Sequence, residues 1–210
     1  MFTSENLASA LRTVASALQV PVLLFLLILL ILTVFMFGTL IAEYFTERIR
    51  FKIKIPKLLD KIRDGTKALP ETIAESGLLK RQRKKLTELC AHKDLDQDMR
   101  EALARRLLYE EQARNGKIVR ITDLIARLGP MIGLLGTLIP LGPGLIALGQ
   151  GDTFTLSKSL LIAFDTTVAG LGSAAVAFIV SGIRKVWYED YLAVLETVME
   201  CVLEREAENG

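Results

Sequence analysis

The sequence predicts an all-α integral membrane protein with three transmembrane helices, long cytoplasmic helical extensions and assembly into an oligomeric ring. Hydrophobic residues make up 51% of the 210-residue chain. They are concentrated in blocks long enough to cross a bilayer, whose ~30 Å hydrocarbon core needs about 20 apolar residues of helix. Two of the three blocks also carry small and hydroxyl-bearing residues along one helix face, which is typical of helices that pack closely or line a polar path.

The first spanning segment, segment 1 (20–42), is the most uniformly apolar. No charged residue occurs between Arg12 and Glu43, a gap of 30 positions. A cleaved secretory signal peptide is the competing interpretation, but its apolar region of about 7–15 residues would be much shorter than this. We therefore expect residues 1–19 to form an N-terminal tail outside the cytoplasm and segment 1 to remain as a transmembrane helix.

Segments 2 (128–150) and 3 (159–183) are predicted to form the core of the protein, over residues 128–183. Segment 2 has no charged residue, and segment 3 has only Asp165. At 100° per residue, small residues align on one face of each helix, which allows two helix backbones to approach closely. The predicted helix-packing residues are Gly133, Gly136, Gly144, Gly170 and Ala174.

Hydroxyl-bearing and acidic residues in these segments suggest a path for ions. Thr137 and Thr167 lie at comparable depths, each about 12–14 Å from a membrane surface at 1.5 Å per residue. Two hydroxyl groups near mid-membrane would hydrate an ion path or bond a partner's carboxylate. Asp165 lies at the flank of the small-residue face and suits either an ion pathway or a structural hydrogen-bond acceptor. The predicted ion-pathway residues are Thr137, Asp165, Thr166 and Thr167.

The distribution of basic residues predicts the orientation in the membrane. Residues 43–127 contain 21 Lys or Arg against 14 Asp or Glu. The positive-inside rule places this region and residues 184–210 in the cytoplasm, with the N-terminus and the short turn outside. We therefore expect a multi-pass protein of the inner or cytoplasmic membrane, with Cys90 and Cys201 as reduced thiols.

The cytoplasmic region is predicted to be helical. One helix is expected from Pro70, which suits a first turn, to about Ala91. A second is expected to begin at Asp94, Asp96 or Asp98 and to continue into segment 2 without a break, because no proline intervenes before Gly129. Segment 3 is likewise expected to continue into a C-terminal helix.

Several function classes lack support in the sequence. The single histidine, His92, has no companion at a metal-ligand spacing, so no metal site is predicted. No catalytic or phosphate-binding motif is present, so we expect neither an enzyme nor a cofactor. The basic run from Lys80 to Lys85 would suit nucleic acid or anionic lipid, but the solvated face of a helix near a membrane is the favoured interpretation, with no nucleic-acid partner.

Two motifs resemble those of the MotA/TolQ/ExbB proton-channel family. They are GLLGTLIPLG (Gly133 to Gly142) and AFDTTVAGLGSAA (Ala163 to Ala175). The resemblance extends to the order of an N-terminal helix, a long basic stretch and a tight pair of spanning helices. It implies a homopentamer that surrounds a dimer of a single-span partner of the ExbD/TolR/MotB type, whose Asp carries the proton. It also implies that Thr137 and Thr167 are pore-lining hydroxyls.

On this resemblance we interpret the chain as the channel-forming stator subunit of a motor driven by H⁺ or Na⁺, which performs mechanical work or transport such as protein transport. The chain departs from the family pattern at Pro140, Pro143 and Asp165, positions that are usually aromatic or aliphatic. The alternative function is a membrane scaffold that oligomerises through its small-residue faces without conducting ions. A small-solute permease is disfavoured because no inverted repeat is apparent.

The predicted orientation is testable by cysteine labelling. A cysteine introduced at Ser4 should react with a membrane-impermeant reagent added outside intact cells, whereas Cys90 should not, because the 43–127 region is expected to be cytoplasmic. The measurement is the labelled fraction at each position before and after permeabilisation. Labelling of Cys90 but not of the Ser4→Cys variant in intact cells would reverse the orientation.

Overall fold

A computed structural model of the chain describes residues 4–48, 55–63, 69–92 and 95–208. Every regular element among these residues is a helix, which confirms the all-α prediction. The elements are α1 (Ser4–Glu43), a π-helical turn (Tyr44–Arg48), α2 (Ile55–Arg63), α3 (Leu69–Glu75), α4 (Lys80–Ala91), α5 (Gln97–Gly149) and α6 (Thr153–Glu208).

Three helices are long and apolar enough to cross a membrane, and they span Asn6–Arg48, Gln97–Gly149 and Thr153–Arg205. Segments 1 and 3 lie within them, and segment 2 lies within the second except for Gln150, which is in the turn after α5. Helix α5 continues unbroken into segment 2, as predicted. The three prolines of segment 2 lie inside this helix and do not end it. Helix α1 is longer than segment 1, since residues 4–19 of the predicted tail are also helical.

The prediction of a single helix from Pro70 to about Ala91 is wrong. The structure divides this stretch into α3 and α4, with residues 76–79 outside both helices. The hydroxyl of Ser76 donates to the carbonyl of Ile73 at 2.5 Å, which competes with continued helical bonding at the end of α3. The side chain of Gln82 then accepts from the Leu79 backbone N–H at 3.0 Å and stabilises the start of α4.

The described residues divide into two compact units. The first, here called the membrane unit, comprises Met1–Gly38 and Arg120–Gly182. Its buried apolar contacts join α1, α5 and α6 through Leu29, Ile125 and Ala177. Each of the three long helices therefore contributes to the packing of this unit.

The second unit comprises Thr39–Val119 and Ile183–Gly210. It contains α2, α3 and α4 together with parts of the three long helices. Its core is made of buried aliphatic side chains from five helices, which gives the unit a hydrophobic core of the kind found in soluble domains. The largest fully buried of these side chains are Ile62, Ile73, Leu86, Leu89, Leu195, Val198, Met199 and Val202.

Burial of Cys90 affects the labelling experiment above. Its side chain is 5% exposed, so burial alone would slow its reaction with the reagent. Thr87 lies one turn earlier on α4 and is exposed. A Thr87→Cys variant is therefore the better probe for the side of the membrane on which this region lies.

A buried ion pair joins α1 to α6 within the second unit. Arg184 Nε donates to Glu43 Oε2 at 3.2 Å, and the two side chains are only 5% and 14% exposed. Arg184 also donates to the hydroxyl of Thr39 at 2.9 Å, and the hydroxyl of Tyr188 lies 3.5 Å from the Glu43 carboxylate. The two charges thus have the additional hydrogen bonds that buried ions need.

Breaking this pair should destabilise the protein far more than breaking an exposed pair. We expect Arg184→Met to lower the free energy of unfolding by about 3–5 kcal/mol, because the Glu43 carboxylate is left buried without its counter-charge. Arg105→Met is the control, since Arg105 pairs with Glu101 at 3.5 Å while 82% exposed, and should cost no more than about 1 kcal/mol. The measurement is denaturant unfolding of both variants in the same detergent. Equal decreases in the free energy of unfolding of the two variants would show that the buried ion pair stabilises the protein no more than the exposed pair does.

Candidate ion pathway

Helices α5 and α6 meet within the membrane unit at backbone distance. A Cβ built on Gly170 would lie 2.6 Å from the carbonyl oxygen of Gly129 and 2.8 Å from the Cα of Gly133. A Cβ built on Gly133 would lie 3.3 Å from the Cα of Gly170. These positions have no room for a side chain, so glycine allows the two helices to touch.

The contact continues along both helices through small side chains. A Cβ on Gly136 would lie 2.8 Å from the Cβ of Thr166, and one on Gly144 would lie 2.9 Å from the Cβ of Ser159. A Cβ on Gly129 would lie 3.0 Å from that of Ala174. All five residues predicted to pack helices therefore lie in the α5–α6 contact.

These contacts fix an antiparallel register. Moving from Gly129 to Gly144 along α5 corresponds to moving from Ala174 back to Ser159 along α6. Because Gly136 faces Thr166, the next residue on α5, Thr137, is at the same depth as Thr166 and Thr167. The structure thus brings Thr137 and Thr167 to one level of the membrane unit.

Both threonine side chains are half-buried in the chain and point their hydroxyl protons at their own helices. Thr137 Oγ1 donates to the carbonyl of Leu134 at 2.7 Å, and Thr167 Oγ1 donates to that of Ala163 at 3.1 Å. A hydroxyl that donates its proton in this way still offers oxygen lone pairs as acceptors. Each threonine can therefore accept a hydrogen bond from water or from a protonated acid.

The other two predicted pathway residues occupy different environments. Thr166 is 4% exposed, faces Gly136 inside the α5–α6 contact and donates to Ala163 at 2.9 Å. Asp165 is exposed on the surface of α6. The geometry groups Asp165 with Thr137 and Thr167 as accessible polar groups and sets Thr166 apart, and the pathway role of all four stays a prediction.

Sequence reasoning missed a polar contact between the same two helices, near the start of segment 2 and the end of segment 3. The hydroxyl of Ser181 on α6 donates to the carboxylate of Asp123 on α5, and Ser181 is 1% exposed. Ser173, also 1% exposed, has an Oγ atom with no hydrogen-bond partner among the described residues. The available signal was the spacing of Thr166, Ser173 and Ser181, which puts three hydroxyls on one face of α6.

No group of three or more His, Cys, Asp or Glu side chains is arranged to hold a metal ion in the part of the chain that the structure describes. Among the described residues, Cys90 and Cys201 do not form a disulfide with each other. The polar side chains that segments 2 and 3 leave half-buried or exposed are mainly hydroxyls, together with the carboxylate of Asp165 and the amide of Gln150, and all of these can form hydrogen bonds with water.

This fold and this pair of helices define a multi-pass α-helical membrane protein. The family model described as "MotA/TolQ/ExbB proton channel family" matches residues 67–197, which include segments 2 and 3. The chain therefore belongs to the MotA/TolQ/ExbB proton channel family, a family of channels rather than of enzymes. A comparison with curated proteins found no significant match.

The glycine contact predicts a strong difference between two neighbouring substitutions. Gly170→Ala should destabilise the protein by about 1–3 kcal/mol, because the new methyl group meets backbone atoms that cannot move aside. Gly172→Ala is the matched control on the same helix, since a Cβ there meets nothing within 4 Å. Thermal unfolding of both variants in detergent measures the difference. A loss of stability in the Gly172→Ala variant as large as in Gly170→Ala would argue against backbone contact as the cause.

Proposed function

We propose that the chain is the channel-forming stator subunit of a membrane motor driven by an ion gradient. Five copies surround a dimer of a single-span partner whose aspartate carries the proton, and ion flow moves that partner to perform mechanical work or transport. The observation that supports this proposal most is the pair of half-buried hydroxyls, Thr137 and Thr167, at one depth on two helices whose backbones touch. Family membership supplies the proton-channel chemistry.

The threonine hydroxyls suit a carboxyl group that gains and loses a proton. In the present rotamers their oxygens are acceptors, which matches a protonated, neutral acid that donates its own O–H. When that acid ionises, a rotated hydroxyl can donate to the carboxylate instead. The same site therefore accommodates both states of the partner's aspartate at a modest cost, because each hydroxyl can return to its backbone acceptor.

Asp165 supports an assembly in which the surface of one chain is covered. A carboxylate at the bilayer centre costs about 2.5–3.5 kcal/mol even on the mildest scale, and Asp165, about six residues into segment 3, is subject to a smaller cost that a neighbouring polar group or water would lower. Its neighbours Phe164 and Val168 are 66% and 72% exposed in the single chain. In the proposed ring, Asp165 faces a neighbouring subunit or the hydrated interior, where either hydrogen bonds or water lower this cost.

The proposed location is the inner or cytoplasmic membrane, with the N-terminus outside and the C-terminus in the cytoplasm. The excess of basic residues in the 43–127 region supports this orientation. A scaffold that oligomerises without conducting ions is the alternative function. The two functions differ in whether the assembled wild-type ring conducts ions with the partner, because a scaffold would give no flux.

The decisive experiment replaces each threonine with valine, which keeps the branched shape and deletes the hydroxyl. We expect Thr137→Val and Thr167→Val to assemble as the wild-type protein does, with a native mass of five subunits, while proton or sodium flux with the partner falls sharply. Flux into vesicles is measured per assembled ring. The control is Thr153→Val, an exposed threonine at the start of α6 and outside segment 3, which should leave flux unchanged.

Two results would contradict the proposal. A stable monomer or dimer in native mass spectrometry would exclude the ring, and normal flux through an assembled Thr167→Val ring would exclude the pathway. If the threonine hydroxyls only form hydrogen bonds between helices, removing either hydroxyl should instead weaken assembly by about 0.6–2 kcal/mol, while the flux per assembled ring persists. The Asp165→Asn variant is measured in the same assay. If it loses flux while the ring assembles normally, Asp165 belongs to the pathway.

A further inference from the structure

A groove of about 670 Å³ opens within the membrane unit between the first turns of α1 and the last turns of α5. Its walls include Leu18 from α1 and Leu135, Leu138 and Ile146 from α5. These four side chains are 42%, 40%, 58% and 44% exposed in the chain. The groove therefore leaves a large apolar surface uncovered. The volume of the groove is within the range of about 300–1,000 Å³ that is typical of small-molecule sites.

The charged side chains that line this groove are confined to one end, whereas the amide of Gln19 lies farther along α1. Arg12, Gln150 and Asp152 all line it. Met36 contacts Thr122, while the first turns of α1 and the last turns of α5 line one groove, so α1 is antiparallel to α5. Arg12 precedes Met36 by as many residues as Ile146 follows Thr122, so Arg12 is level with Ile146, about one turn before the end of α5. Arg12 is therefore near the short turn that holds Gln150 and Asp152. The charges therefore lie at the turn end of the groove, and the rest of its wall is mainly apolar, with Ser16 and Gln19 as the polar side chains of α1.

The apolar part has the length of one bilayer leaflet. Residues 135–147 of α5 rise about 18 Å at 1.5 Å per residue, and half of a ~30 Å hydrocarbon core is about 15 Å. A molecule that matches this groove has an apolar chain of that length and a head that bears charge. In a membrane, phospholipids have both features and surround the protein.

The two charges at the rim point to the kind of headgroup. Arg12 is the only basic residue before segment 1, and its guanidinium is suited to a phosphate. Asp152 stays ionised, because the hydrogen bonds that it accepts from the Thr155 hydroxyl and backbone N–H lower the pKa of its carboxyl. A cation beside an anion complements a zwitterionic head that carries both a phosphate and an ammonium group.

We propose that this groove binds a phospholipid with an amine-bearing headgroup. One acyl chain lies along Leu135, Leu138 and Ile146, the phosphate pairs with Arg12, and the ammonium group lies near Asp152. The bound lipid fills the gap between α1 and α5 and so holds the N-terminal part of α1 against the membrane unit. A second copy of the chain could also cover an apolar groove. The charges of Arg12 and Asp152 at one end of the groove favour the lipid, because its headgroup carries both a phosphate and an ammonium group.

A glycine inside the groove allows a direct test. Gly142 lines the groove, and a Cβ built on it would meet nothing within 4 Å. Gly142→Leu should therefore fill the groove without a clash. Gly149→Leu is the matched control, since Gly149 also has open space around it and does not line the groove.

The measurement is the amount of phospholipid that the purified full-length protein retains after exchange into a mild detergent, by native mass spectrometry and lipid extraction. We expect the wild type and Gly149→Leu to retain phospholipid and Gly142→Leu to retain about tenfold less, since the inserted side chain removes the apolar surface that holds the chain. Equal retention by Gly142→Leu would overturn the proposal. So would wild-type protein that is free of lipid while its subunits stay assembled, since a neighbouring copy would then cover the groove.

A second arm examines the headgroup. The protein is equilibrated with vesicles that contain phosphatidylethanolamine and phosphatidylglycerol in equal amounts, and the bound fraction of each is measured. We expect the wild type to favour phosphatidylethanolamine, Arg12→Gln to lose affinity for both, and Asp152→Asn to lose the preference. Asn caps a helix as well as Asp does, so Asp152→Asn removes the charge and keeps the start of α6. Retention that none of these substitutions changes would overturn the headgroup assignment.

Discussion

The close approach of α5 to α6 is the constraint on which the membrane unit depends. Apolar side chains gain nothing by leaving lipid for a helix interface, so association within hydrocarbon relies on van der Waals packing and interhelical hydrogen bonds. Glycine supplies the packing here, since a Cβ at Gly170 would lie 2.6 Å from the carbonyl oxygen of Gly129. The same contact sets the register that places Thr137 and Thr167 at one depth. Packing and the candidate pathway are therefore consequences of one set of small residues.

The polar groups of segments 2 and 3 are accommodated in two ways. Thr166 and Thr167 both bond to the carbonyl of Ala163 in their own helix, so a hydroxyl can lie within the membrane without an external partner. Asp165 is a carboxylate that accepts hydrogen bonds and cannot use backbone carbonyls in this way. A single chain in lipid therefore satisfies its threonines and leaves its aspartate in need of water or of another subunit. This asymmetry supports an assembly with a hydrated interior.

The sequence predicted the features that depend on local pattern and failed where tertiary packing decides. Uncharged length predicted the three spans, and the small-residue periodicity predicted which faces of α5 and α6 meet. The break between α3 and α4 was missed because it depends on the Ser76 hydroxyl and on Leu78, which is 3% exposed. The pairing of Asp123 with Ser181 was also missed, since residues 58 positions apart in the sequence give no periodic signal.

The prolines of segment 2 add polar backbone at the level of the threonines. A proline has no N–H, so Pro140 and Pro143 cannot bond the carbonyls four residues earlier, those of Gly136 and Ile139. Gly136 is adjacent to Thr137 and faces Thr166, so a carbonyl that lacks its usual helical N–H donor lies beside the candidate pathway. Such carbonyls are tolerated at membrane depth where they face protein or a water-filled cavity. In the proposed ring, water in a hydrated interior would supply hydrogen-bond donors to such carbonyls and to the Thr137 hydroxyl.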